Sequence, residues 1–392
     1  MCTRSDLHVI NGEEGFKRKP ESCSFRPRQI PYDSIVIDGH SGYISLHALH
    51  WLSRNNVPVF VLNFDGSLIS SILPPMPVKA DLRAAQFEAC KDPQKKFKIA
   101  YEIVKAKIQR SLDVLQWLHA RYDIDEKVRK TEKEAIALPK ARTIGDLRMV
   151  EGRVAQRYWE AFRSVIPECL DFRGRLIRSG RANAASDPVN LALNYGYAVL
   201  EGECRRAVNT VGLEPSVGFL HEFSGYQTKQ SLVYDLQEPY RWLADVSVIE
   251  AFESGVLDLP DFFFAGDDYR YHFESEAKRR FIEVLRERFN SGVRHDRLLL
   301  KWNTVIEKKA EEVARHLVGK SEAVNFSEPS PKLQRSDGLQ LRKRILSLSQ
   351  SEACRLGIGK ATLHYLRKNA ANDRPFMIYR KVRQKVERKG AS

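Results

Sequence analysis

The sequence predicts an α+β protein of several domains: a small N-terminal β-rich domain, a large α-helical domain and a C-terminal helix-turn-helix. Three observations carry that prediction. Short β-branched runs, SIVIDG and VPVFVLNFDGSLISSIL, are confined to residues 30–78. Apolar residues then recur at helical spacing from Leu82 to about Leu317. Residues 331–392 hold 16 lysines and arginines against four acids, a basic module with an electrostatic reason to sit on phosphates.

The length of 392 residues exceeds what one hydrophobic core organises, and 43% hydrophobic with 29% charged residues is an ordinary globular balance. No run of 18 apolar residues and no leader-like N-terminus is present, so a soluble cytoplasmic protein without a membrane partner is expected. The six cysteines are scattered with no C-x-x-C pair, which argues against a zinc ribbon or a secreted disulfide framework. The net charge of +14 lies almost wholly in the tail, since the rest of the chain is nearly balanced.

Residues 1–29 are polar and irregular and read as a loosely ordered arm. Over 30–78, strands end at the Asp38-Gly39 and Asp65-Gly66 turns, with a short amphipathic helix at 45–54 between them. Pro74, Pro75 and Pro77 exclude regular structure and make a stiff linker. The helical domain spans 79–320. It opens with a long amphipathic stretch marked by Leu82, Phe87, Ile99, Ile103, Ile108, Leu112, Leu115 and Leu118, and continues with helices near 143–165, 188–209, 230–253, 275–289 and 297–317.

A polar, aperiodic linker occupies 321–338, and the basic DNA-binding module occupies 339–392. There Ala353, Gly357, Ile358, Leu363 and Leu366 have the spacing of a helix-turn-helix, whose second helix would expose Lys360, Thr362, His364, Arg367 and Lys368. The competing reading is an ordinary basic helical hairpin with a solvated face.

The chemistry-bearing residues lie in the helical domain. In RMVEGRVAQRYWEAF, helical spacing puts Glu151 on the apolar stripe of Val154, Tyr158 and Phe162, so its carboxylate needs a metal ion or a basic partner. Asp235 and Glu238 are one turn apart; Arg241, a turn further, allows a weak surface pair with Glu238, and Pro239 kinks or restarts the helix there. His221, without a second histidine nearby, reads locally as a satisfied buried histidine. Taken together, two carboxylates and an imidazole from separate segments can form an open shell for a hard divalent ion, Mn²⁺ or Mg²⁺, with the imidazole better tolerated by Mn²⁺.

The chain also resembles a known family. IVIDGHSGYISLHALHWLSRNNVPVFVLNFDGSL, LRAAQFEACKDPQKKFKIAYEIVKAKIQ, EGRVAQRYWEAF, DPVNLALNYGYAVLEGECRRAVNTVGLEPSVGFLHE and SLVYDLQEPYR match, in order and spacing over about 290 positions, the CRISPR-associated endonuclease/integrases that insert new spacers. The Asn-x-x-x-Asn-Tyr-Gly-Tyr and Gly-Phe-Leu-His blocks are the specific part. The resemblance implies that Glu151, His221 and Glu238 hold the catalytic metal, with Asp235 supporting the site. Some members have Asp where Glu238 stands, so a longer carboxylate would reach the ion here.

Ser231, Lys229, Arg173, Arg175, Arg178 and Arg181 become candidate phosphate contacts, each competing with a solvated Arg-rich loop. The basic tail departs from the spacer integrases and resembles the casposases, transposon-encoded relatives in archaea and bacteria. That resemblance implies metal-dependent joining of an element's 3′-hydroxyl ends to target DNA, with target-site duplication. The implied partners are duplex DNA, both terminal inverted repeats and target, and at least a homodimer formed near the β-rich domains, with a tetramer on DNA as the larger option. Two alternatives stand beside it: a spacer-acquiring integrase with an added DNA-binding tail, and a non-catalytic DNA-binding regulator that keeps the fold.

Overall fold

A strand near the N-terminus, β1 (Leu7–Asn11), pairs antiparallel with β2 (Glu21–Phe25), so the segment expected as a loose arm carries a two-stranded ladder. Its last residue, Phe25, packs beside Ile35 and Ile37 on a small apolar cluster, which gives the ladder a reason to form. The structure, a computed structural model, describes residues 7–11, 21–26, 34–38, 43–55, 57–62, 68–74, 79–175, 186–221, 230–265, 270–295, 298–327, 338–371, 382 and 386. The Gly39 and Asp65-Gly66 turns lie outside the described residues.

In the next sheet β3 (Ile35–Asp38) runs parallel to β4 (Val59–Leu62). The connection between them includes α1 (Leu46–Arg54), whose Ser45 hydroxyl accepts from the Ala48 N–H and caps the helix. Helix α1 buries Ala48, Trp51 and Leu52 with Val57 and Val59. Strand β5 (Leu68–Ile72) returns antiparallel along the other side of β4.

The expected long helix after Leu82 is two helices, α2 (Ala80–Lys91) and α3 (Pro93–His119). Asp92 between them is extended, its carboxylate capping Gln94 and Lys95, and Pro93 cannot donate an N–H back into α2. Helices α4 (Asp125–Ala135) and α5 (Ile144–Ser164) follow, the latter started by a Thr143/Asp146 capping box. Then comes α6 (Pro188–Val211), capped by Asp187 and ended by Gly212 at φ 90°.

The sequence predicts helix over 230–253 with a kink or restart at Pro239; the structure has α7 (Ser231–Gln237), a 3₁₀ turn over Glu238–Tyr240 and α8 (Trp242–Ser254). Pro239 is the cause, because it lacks an N–H and its ring would press on the carbonyl four residues back. Two hairpins were not anticipated: β6 (Phe262–Ala265) with β7 (Arg270–Phe273) ahead of α9 (Ser275–Asn290), and β8 (Gly292–His295) with β9 (Leu298–Lys301). Helix α10 (Trp302–Leu317) therefore starts five residues later than predicted, since the run Leu298–Lys301 pairs as a strand and four residues carry too little periodicity to tell the two apart.

These elements share one large core that includes Phe162, Tyr195, Phe219, Tyr240, Phe281 and Trp302. The sheet joins it through Leu62, and the Phe60 ring lies 3.2 Å from where a Cβ on Gly202 of α6 would sit. Helices α6 and α8 approach closely at Gly196, where a Cβ would stand 2.7 Å from the Cβ of Ala244. Near the C-terminus α11 (Gly338–Ser347), α12 (Gln350–Arg355) and α13 (Lys360–Ala371) have a core of their own, with Ile345, Leu348, Ala353, Ile358, Leu363 and Leu366 buried together. Among the described residues no helix is long and apolar enough to cross a membrane.

Candidate active site

Glu151 sits on α5 one turn before Val154, and its neighbours Val154, Tyr158 and Phe162 are buried as the periodicity requires. Its carboxylate pairs with the ammonium of Lys107 on α3. The same ammonium lies 2.5 Å from Glu238 Oε2, so one lysine bridges two carboxylates from different elements. A basic partner of the kind the sequence allowed for Glu151 is therefore present. Lys107 falls on the Ile99 and Ile103 stripe of α3, one turn beyond Ile103, where an apolar residue would be ordinary. A cation on an apolar stripe was the available signal for it.

Glu238 begins the 3₁₀ turn and is only 8% exposed. Burial disfavours its charge, but the Lys107 ammonium and the Arg241 guanidinium prevail and hold its pKa at about 2. The pair of Glu238 with Arg241 spans 3.7 Å and is not the surface pair the spacing suggested. Arg241 lies over the Tyr197 ring, 3.8 Å from its centroid, and the Tyr197 hydroxyl donates to Asp245 at 2.5 Å. Tyr158 donates to the other Asp245 oxygen at 2.7 Å. Thus α5, α6 and α8 are tied together behind Glu238.

His221 lies beyond α6, outside any helix or strand, yet its position is tightly determined. Asp235, on α7 and fully buried, accepts through Oδ2 from the N–H groups of Phe219 and Leu220 and through Oδ1 from the N–H of His221. Its Oδ1 also lies 2.7 Å from His221 Nδ1. That contact leaves Nε2 as the nitrogen able to face a ligand. Burial works against the charged imidazole, but the Asp235 hydrogen bond and charge raise its pKa. The Arg148 guanidinium, one turn before Glu151 on α5, donates to the Leu220 carbonyl at 2.6 Å, so the helix carrying Glu151 also grips the histidine segment.

Glu151 and Glu238 are thus brought together on Lys107, and His221 is near enough to Glu238 for each charge to affect the other. Among the described residues no three His, Cys, Asp or Glu side chains converge on a common ligation point. The donor chemistry nevertheless suits a hard divalent ion. Two carboxylates and one imidazole nitrogen are available, Glu238 Oε2 is buried without a well-aligned hydrogen bond, and the two carboxylates already enclose a cation.

The remaining candidates divide sharply. Arg175 donates to the Asn190 and Asn194 side-chain oxygens at 3.0 and 2.8 Å and stands 5.2 Å from the Tyr197 ring centroid. The two asparagines of the Asn-x-x-x-Asn block therefore hold an arginine, one helical turn apart on α6. Arg173 is exposed and pairs with Asp171. Ser231 is buried at the start of α7, with 1% of its surface exposed, unlike the solvent-facing hydroxyl the sequence reading implied. Arg178, Arg181 and Lys229 lie outside the described residues. On α13, Lys360, Thr362, His364 and Lys368 are exposed and Arg367 is half-buried, while Leu363 and Leu366 face the core.

The chain carries the signature of the CRISPR associated protein Cas1 model over residues 7–287, which contains every element of this site. It belongs to the Cas1 family. The CRISPR-associated endonuclease Cas1 1 of Archaeoglobus fulgidus is 31% identical over 339 residues, covering 82% of this chain and 96% of the relative. Among solved structures, a casposase bound to integration product matches with a TM-score of 0.77 and 33% identity, over 88% of this chain and 95% of that one. A Cas1 protein from Thermotoga maritima shares the fold at a TM-score of 0.62 and 18% identity, over 78% of this chain and 91% of that one.

Proposed function

We propose that this Cas1-family chain is a DNA integrase of the transposon-encoded kind, a casposase, joining the 3′-hydroxyl ends of a mobile element to target DNA by metal-dependent transesterification. The observation that carries this reading is the convergence of Glu151 and Glu238 on one cation beside His221, whose ring is fixed by buried Asp235. The 33% identity to a casposase bound to its integration product supports the substrate class.

Glu151, Glu238 and His221 Nε2 would hold Mn²⁺ or Mg²⁺, which when bound would supply positive charge to offset the negative charge developing on the phosphate. Asp235 keeps the imidazole in the tautomer and orientation that present Nε2. Arg175, braced by Asn190 and Asn194, offers a guanidinium to a phosphate oxygen, and Arg241 backs Glu238. Direct attack by a DNA 3′-hydroxyl needs no protein nucleophile. Two strand-joining events, one on each target strand, would insert the element and, after gap repair, duplicate the target site; they require two copies of the site, hence a homodimer at least.

Helices α12 and α13 form the helix-turn-helix of this reading. The Ser349/Glu352 capping box starts α12, and Gly357 at φ 66° turns the chain between the helices. Exposed Lys360, Thr362, His364 and Lys368 on α13 would face the terminal repeats. A spacer-acquiring integrase is the second reading, favoured by the 31% identity to the A. fulgidus endonuclease. Labelled oligonucleotides carrying candidate terminal repeats, or repeat-spacer junctions, separate the two in a strand-transfer assay. Glu151→Ala and His221→Ala should each abolish joining and leave duplex binding intact; normal joining by either would overturn the site.

A further inference from the structure

The backbone from Gly212 to Gly218, which leads to His221, is held on one side by a single face of α2. Arg83, Gln86 and Cys90 are spaced three and four residues apart and so project from that face together. The Arg83 guanidinium lies 3.3 Å from the Glu214 carboxylate and donates to the Gly212 carbonyl at 3.4 Å. The Cys90 thiol donates to the Gly218 carbonyl at 3.2 Å.

Between them stands Gln86, with no exposed surface. Its Nε2 donates to the Glu214 and Val217 carbonyls at 2.9 and 2.7 Å, and its Oε1 accepts from the Glu214 N–H at 2.8 Å. One uncharged side chain thus satisfies three backbone groups of a segment that has no helix or strand to satisfy them. A buried amide in that role is costly to replace, because the buried Val217 carbonyl would lose the donor it has here and Glu214 would lose contacts at both its N–H and its carbonyl.

The opposite side of the segment is equally constrained. The amides of Phe219, Leu220 and His221 converge on Asp235. At Gly218, between the two sets of contacts, a Cβ would stand 2.8 Å from both Asp235 Oδ2 and the Ser231 Cβ. The Leu232 N–H donates to the Pro215 carbonyl at 2.9 Å, linking the same segment to α7. With Asp235 fixing one end and Gln86 the other, the backbone from Glu214 to His221 has little freedom to shift the ring.

We propose that Gln86 is a positioning residue for His221: clamping the 214–217 backbone, it sets where the segment delivers the imidazole, though it touches no reacting group itself. The assignment rests on the catalytic role of His221 proposed above. A displacement near 1 Å at a reacting centre costs on the order of 100-fold in rate.

The test is Gln86→Met in the full chain, which keeps the volume and removes all three hydrogen bonds. Amide exchange of the 214–221 peptide, melting temperature, duplex affinity and joining rate at saturating DNA are measured together. Expected are exchange in 214–221 faster by roughly 10-fold with α6 and α10 unchanged, duplex affinity within about twofold, and joining slower by roughly 10- to 100-fold. Unchanged exchange in 214–221 would overturn the proposal, as would faster exchange spread evenly over the chain, or joining at the unsubstituted rate. Should Gln86→Met not fold, Gln86→Asn, which keeps the amide but draws it back by one methylene from the Glu214 and Val217 carbonyls, should raise exchange over 214–221; no local rise there would equally overturn it. If the unsubstituted protein joins no DNA, the proposed function fails while the exchange comparison still decides whether Gln86 holds the histidine segment.

Discussion

Asp235 Oδ1 lies 2.7 Å from His221 Nδ1 and 2.9 Å from the backbone nitrogen of the same residue, so one carboxylate fixes both ring and chain of the histidine. Asp235→Asn puts an NH₂ group against N–H donors whichever way the amide turns. The variant should lose roughly 10- to 100-fold in joining rate and about 1–3 kcal/mol of stability. Joining kinetics and denaturant melts check both; joining at the unsubstituted rate would show that Asp235 does not orient the ring.

Lys107 supplies the positive charge between Glu151 and Glu238. Lys107→Met leaves two carboxylates facing each other, and breaking such a buried pair costs about 3–5 kcal/mol. A divalent ion held by those carboxylates would recover part of the loss. Adding Mn²⁺ should therefore raise the melting temperature of Lys107→Met more than that of the unsubstituted chain, and EDTA should abolish the difference. In the unsubstituted chain EDTA should stop joining and excess Mn²⁺ or Mg²⁺ restore it. No metal response in either protein would argue that the carboxylates hold no ion.

Glu238 makes stability depend on pH in a defined direction. Its pKa falls from an ordinary 4.5 to about 2, so the folded state releases this proton more readily than the unfolded chain. The stabilisation is complete above the unfolded value and is lost as pH falls through the folded one. The stability difference between the unsubstituted chain and Glu238→Gln should therefore be largest above about pH 5 and shrink steadily toward pH 2. Urea melts across that range measure it, and a difference that widens on acidification would contradict the ion-pair arrangement.

The C-terminal module has its own buried cluster and an exposed basic face on α13. Removing residues 338–392 should weaken binding to terminal-repeat duplexes and flatten the dependence of log affinity on log salt, because fewer phosphates are neutralised. Fluorescence anisotropy over a salt series reads both. An unchanged slope would mean that the module does not contact DNA.

Much of the architecture could be read locally. The starts of α1, α5 and α6 carry capping residues beside the helix they begin, Ser45, Thr143 and Asp187. The break at Pro239 was legible for the same reason. Asp92 and Pro93 mark the break between α2 and α3 just as locally, but the apolar period continues across them and hides it. Strands β8 and β9 were missed because a four-residue apolar run declares its type only once it has a partner, and the ladder at β1 and β2 acquires its reason from a cluster built by later residues.

For the candidate site, sequence by itself determined which residue types were present and that Glu151 needed a compensating charge on an apolar stripe. Tertiary structure alone decided that Lys107, 44 residues before Glu151 in the chain, pairs with it, and that the same ammonium also meets Glu238. It likewise turned Asp235 from a neighbour of Glu238 into the support of His221, and buried Ser231. Local spacing reports the face a side chain occupies on its own element. Which charges meet, and which hydroxyls leave solvent, depends on how distant elements pack, and no spacing within one helix records that.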